Sequence, residues 1–115
     1  MKVEISVERI EDRVHVKIVG DVDMNTSSDV RNAISDALRQ GVVGMKALLV
    51  DLSQVRYMDS SGIATLVEVM QNCNKRSMRL QLCALSPPVR DVFELARLGN
   101  VFKVYLTVND AVSEL

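Results

Sequence analysis

Asp59-Ser60-Ser61-Gly62 is the stretch of this chain whose residue types best suit a chemical signal. Its two adjacent hydroxyls stand immediately ahead of Ile63, Leu66, Val67, Met70 and Cys73, which recur at helical spacing. A helix N-terminus presents unpaired N–H groups and the positive end of the helix dipole. A phosphate added to a serine there is therefore stabilised without unfolding anything. The same segment also suits an ordinary helix start, in which Asp59 or Ser60 caps the first amides. The two roles are compatible, because a capping serine is also an accessible one.

Other chemistries find little support. There is no Gly-x-Gly-x-x-Gly, no phosphate-binding Gly-x-x-x-x-Gly-Lys and no Gly-x-Ser-x-Gly elbow. His15 is the only histidine and falls at an outward strand position, away from any triad. Asp21 and Asp23 are spaced like paired carboxylates but have no histidine or third acidic ligand nearby, so a solvated loop is the better reading than a metal or acid–base site. Cys73 and Cys83 form no Cys-x-x-Cys pair and read as reduced, partly buried thiols. No metal, no cofactor and no enzymatic activity are expected.

The elements that must position the serines follow from periodicity. Val3, Ile5 and Val7, then Val14, Val16 and Ile18, alternate with polar residues and predict an N-terminal β-hairpin, with Met1 to Ile5 a strand rather than a leader. A loop, Gly20 to Asn25, leads to Thr26 and Asp29 at capping-box spacing, then to a stripe of Val30, Ala33, Ile34, Ala37 and Leu38 that stops at Gly41. Ala47 to Val50 is an unbroken apolar run, as in a central strand covered on both faces. The serine helix follows, then a strand over Leu80 to Leu85. Ser86-Pro87-Pro88 opens a third helix, with Ser86 as its cap, carrying Val89, Val92, Phe93 and Ala96 to a stop near Gly99. A strand over Val101 to Leu106 and a short helix, capped by Thr107 and ending at Leu115, complete the chain. Alternation of this kind predicts an α/β fold: one domain over residues 1–115, a mixed, mostly parallel sheet with an N-terminal hairpin, and about four helices.

Composition agrees. The 115 residues are 48% apolar and 25% charged, enough for one core, and fourteen basic against fifteen acidic residues leave a net charge of −1. That balance and the scattered Tyr57, Phe93, Phe102 and Tyr105 offer no basic stripe or stacking platform for nucleic acid. No apolar run reaches the roughly 20 residues of a transmembrane helix, so a cytoplasmic protein without membrane insertion is expected.

Gly20-Asp21-Val22-Asp23, Leu49-Val50-Asp51-Leu52-Ser53, Met58-Asp59-Ser60-Ser61-Gly62-Ile63 and Cys83-Ala84-Leu85-Ser86-Pro87-Pro88-Val89 together resemble the STAS domain family, in particular the bacterial anti-sigma factor antagonists. The likeness spans nearly the whole chain. It implies partner switching: the unphosphorylated antagonist binds an anti-sigma factor that is also a serine-protein kinase and frees the sigma factor, and phosphorylation ends the binding. The phosphorylated residue would be Ser60, and a PP2C-type serine phosphatase would reverse the modification. The partner surface is then expected around Asp21, Asp23, Met24 and Asn25 of the acidic turn and Met58, Asp59, Ser60, Ser61 and Gly62. Met24 and Met58 offer adaptable apolar contacts, with core packing the plainer role for each. A regulatory subunit of an ABC lipid transporter, a partner switch with a non-sigma output, and an enzyme or nucleotide-binding protein stand as alternatives.

Overall fold

The computed structural model describes residues 3–114. Its elements run β1 (Glu4–Ile10), β2 (Arg13–Val19), α1 (Ser27–Arg39), β3 (Ala47–Gln54), α2 (Ser60–Lys75), β4 (Arg79–Cys83), α3 (Pro87–Leu95), β5 (Lys103–Tyr105) and α4 (Val108–Ser113), with a short 3-10 turn at Leu98–Asn100. Met1, Lys2 and Leu115, included in the strand and helix readings above, lie outside the described residues.

The five strands lie in sequence order in one sheet, β1 antiparallel to β2 and the rest parallel. The expected mixed sheet, hairpin and four helices are present. Alternation decides the faces: Val14, Val16 and Ile18 pair in register with Leu48 and Val50 and with Ile5 and Val7, so one face is continuously aliphatic. Val30, Ile34, Leu38, Leu66, Val69, Cys73, Val89 and Phe93 from α1, α2 and α3 cover that face and form the main core with it. No helix among the described residues is long and apolar enough to cross a membrane.

Three local readings are corrected. Thr26 does not cap α1. Its hydroxyl donates inward to the Asp21 carbonyl at 2.7 Å, and the Asp23 carboxylate takes the Asn25 and Thr26 amides instead. Ser86 does not cap α3 either, because its hydroxyl donates to the Val55 carbonyl. The last two strands are shorter than their apolar runs. Ala84 turns to a φ of +57° and ends β4, while Val101 and Phe102 donate back to Leu98 at 2.9 and 3.0 Å and so belong to the turn before β5. Thr107, in contrast, caps α4 as expected, accepting from the Asp110 amide at 3.0 Å.

Among the described residues the opposite face of the sheet is covered only by α4, where Ala111 packs with Leu49 and Cys83. This helix has six residues, too few to be stable alone, so docking must hold it. Arg13, only 4% exposed, donates to the Val112 carbonyl at 2.8 Å, and Gln81 donates to the Ala111 carbonyl at 2.9 Å. Both carbonyls belong to the last turn, at the negative end of the dipole, and that of Ala111 also accepts from the Glu114 amide at 3.3 Å. Arg13→Ala is expected to lower unfolding stability by about 1–3 kcal/mol and to speed amide exchange in α4 more than in α2. Urea melts and hydrogen exchange check this; unchanged α4 protection would show that apolar contacts alone hold the helix.

Candidate functional site

Two loops meet at the carboxyl ends of β2 and β3. The Gly20 amide donates to the Gln54 carbonyl at 3.1 Å, Val22 to Tyr57 at 2.9 Å, and Asp59 back to Val22 at 3.2 Å. Val22 and Met58 thereby form an isolated parallel bridge that lays the acidic turn along the approach to α2. The first turn of α2 comes so close that a Cβ added to Gly62 would stand 2.7 Å from Met58 Cγ, 2.9 Å from Val22 Cγ1 and 3.1 Å from the Val22 carbonyl oxygen. Only glycine permits this approach.

Asp59 caps the helix. One carboxylate oxygen, Oδ1, accepts from the Ser61 hydroxyl at 2.6 Å, the Ser61 amide at 2.9 Å and the Gly62 amide at 3.4 Å. The Ser61 hydroxyl bond holds the Asp59 carboxyl below its ordinary 3.8, with help from the Ser61, Gly62 and Met24 amides and against a smaller opposing effect of burial. Ser61 is thus tied to the cap and half-buried, whereas Ser60 is exposed. Of two hydroxyls that look equivalent in sequence, the local hydrogen bonding leaves Ser60 as the one presented to solvent.

The expected site residues divide into a surface and its support. Asp21 and Asp23 are half-buried beside the bridge, and Met24 and Asn25 are exposed, Met24 by 81%. Met58 is corrected from contact surface to core: it is 2% exposed, because the bridge to Val22 turns its side chain inward under Gly62. Gly62 is likewise buried and contributes close packing rather than a side chain. Tyr57, 51% exposed with its carbonyl bonded to Val22, and its exposed neighbour Arg56 adjoin this surface but were not among the expected site residues. The usable signal was Tyr57 itself, an aromatic that fits no apolar period and directly precedes the serine segment.

The remaining reactive groups are elsewhere. Cys73 and Cys83 are free and fully buried, beyond the partial burial expected, and burial pushes their thiols up to about 11 and about 12 respectively. His15 is half-buried on the sparsely covered face. Desolvation holds its pKa below 6.5, the Arg13 charge adds to that and Glu8 opposes it. Among the described residues no three His, Cys, Asp or Glu side chains converge as a metal-ligand set.

Comparison with known proteins fits this geometry. The STAS domain profile matches residues 4–111. The chain belongs to the STAS domain family. The anti-sigma-B factor antagonist of Listeria monocytogenes is 28% identical over 106 residues, which cover 90% of each chain. The crystal structure of an anti-sigma factor antagonist from Mycobacterium paratuberculosis superposes with a TM-score of 0.84 at 26% identity, covering 96% of this chain and 92% of that one. The anti-sigma factor antagonist SpoIIAA in its unphosphorylated form gives 0.77 at 25% identity, with 95% and 93% covered. Its phosphorylated Bacillus form gives 0.70 at 23%, with 96% and 97% covered.

Two measurements probe the site's architecture. Gly62→Ala should cost about 1–3 kcal/mol through overpacking, seen as a lower urea midpoint. Asp59→Ala should cost about 1 kcal/mol through loss of the cap. Because the folded-state pKa of Asp59 is lowered, its contribution is complete above the ordinary 3.8 and lost as pH falls through the folded value. The stability gap between wild type and variant should therefore be constant near neutrality and close in acid.

Proposed function

We propose that this chain is an anti-sigma factor antagonist of the partner-switching kind, with Ser60 as its phosphorylation site. The observation that carries the proposal is the division of labour between the paired serines: Ser61 serves the cap while Ser60 stands free on the first turn of α2. Its similarity to antagonists, one of them solved in unphosphorylated and phosphorylated forms, supports the same reading. The partner is an anti-sigma factor with serine kinase activity, a PP2C-type phosphatase resets the switch, and the setting is cytoplasmic. The role is regulatory rather than enzymatic.

The mechanism is electrostatic. In the unphosphorylated state the kinase partner docks over Ser60, with apolar contact to Met24 and Tyr57 and cations facing Asp21 and Asp23. Phosphorylation adds nearly two negative charges to a surface that already holds these carboxylates and Asp59. The helix N-terminus stabilises the phosphate within the antagonist, so the fold survives. The partner, however, must now desolvate a dianion that its surface was not built to pair. A penalty of ~3–4 kcal/mol weakens binding by two to three orders of magnitude.

The test combines the purified chain with ATP, magnesium and the anti-sigma-type kinases of its source organism, followed by intact and peptide mass spectrometry. One phosphate on wild type and on Ser61→Ala, and none on Ser60→Ala, is the expected pattern. Phosphate on Ser61, or none from kinases shown to be active, overturns the assignment; copurification with a transport ATPase would then point to a transporter subunit. Titration calorimetry should show the phosphorylated form binding the kinase at least 100-fold more weakly. Asp23→Asn, which keeps the oxygen that holds the turn while removing charge, should weaken unphosphorylated binding by up to about tenfold.

A further inference from the structure

A second concave surface lies on a different part of the fold. Between α3, the 3-10 turn and the edge strand β5 runs a groove of about 490 Å³, within the range of small-molecule sites. Leu85, Phe93, Val104 and Leu106 give it an apolar lining, with the Tyr105 side included. Val104 projects from the helix-covered face of the sheet yet is 41% exposed, and Leu106 is 74% exposed. The cause is geometric. β5 is the last strand and only three residues long, and α3 packs against the 3-10 turn rather than over the strand. The apolar floor is therefore left open.

Two cations border this floor. Arg90 lines the groove near Leu85, whose carbonyl accepts a long 3.4 Å bond from its guanidinium, and Arg97 lines it beside Gly99 and Asn100. Neither guanidinium forms an ion pair with any described residue, Glu94 of the same rim included. An apolar floor with two unpaired arginines at its margin complements a molecule that is apolar along its length and anionic at one end.

We infer that this groove binds a medium-chain acyl carboxylate, the chain along Val104, Phe93 and Leu106 and the carboxylate at Arg90 or Arg97. This goes beyond the partner-switching role and uses none of the residues around Ser60.

Chemical-shift titration of the full chain with sodium decanoate, and with uncharged 1-decanol as control, tests the inference. Decanoate should shift the amides of Gly99, Asn100, Val104 and Leu106 at submillimolar concentration, and decanol should bind about tenfold more weakly. Arg90→Gln with Arg97→Asn, the latter chosen because asparagine tolerates the φ of +58° at that position, should reduce decanoate to the level of decanol. Val104→Gln, which leaves both cations in place, should weaken both ligands. Dispersed spectra of each variant establish that it is folded. No shifts with decanoate, equal affinity for decanol, unchanged affinity in the double variant, or concentration-dependent self-association mapped to the groove would overturn the inference. Phosphorylation of Ser60 in the same variants should be unaltered, so failure here is distinguishable from failure of the antagonist reading.

Discussion

The site depends on a contact that most side chains would prevent. Gly62 lets the first turn of α2 settle onto Val22 and Met58, and that approach lets the acidic turn and the serine segment share backbone hydrogen bonds. Move the helix outward by the width of a methyl group and the Asp59–Val22 bond lengthens, Met58 loses its cover and the acidic turn separates from Ser60. The positions of Met24, Tyr57 and Asp23 relative to Ser60 are consequences of packing beneath the surface. In the proposed role, partner recognition rests on buried residues that the partner never touches.

The two faces of the sheet solve different problems. Under α1, α2 and α3, aliphatic side chains interlock over a wide area, and the Arg9 guanidinium of β1 adds a bond to the Ala37 carbonyl near the end of α1 at 3.2 Å. Across the sheet, α4 contributes a small apolar contact, and Arg13 and Gln81 hold its last turn by bonding its carbonyls. Arg13 is itself buried in β2, adjacent to the hairpin turn, where it also meets the Asp12 carboxylate at 3.4 Å. The N-terminal hairpin and the terminal helix are thus joined through Arg13, with Gln81 of β4 as the second tie.

Much of this was legible from residue order. Period-2 alternation placed both hairpin strands, and the unbroken run at Ala47–Val50 identified the strand that pairs on both sides. The serine helix and its start were also legible, because Asp-Ser-Ser-Gly ahead of an amphipathic run has few structural alternatives. What escaped was decided by tertiary contacts. Thr26 has the spacing of a cap, but its hydroxyl is drawn inward to the Asp21 carbonyl, and Ser86 is drawn in the same way to Val55. The buried face of α2 centres on Thr65 and Val69 rather than on Ile63 and Val67, because Thr65 satisfies its hydroxyl on the Ser61 carbonyl at 3.0 Å and can be hidden like a valine. Met58 stayed open between contact and core because sequence cannot say which way a residue in a bridge will point. Likewise nothing local shows that Ser61 would be tied to Asp59 and Ser60 left free.

The Asp59–Ser61 bond has a further consequence for the kind of information the proposed Ser60 switch would carry. With the helix cap assigned to groups other than Ser60, both forms of the antagonist can keep one shape, and the message is written as charge alone. A charge-coded message has a finite reach, about 8 Å at physiological ionic strength. Only a protein already lodged on this surface can read it. A bystander one molecular diameter away sees the same domain in either state, which makes the signal private to the pair in contact.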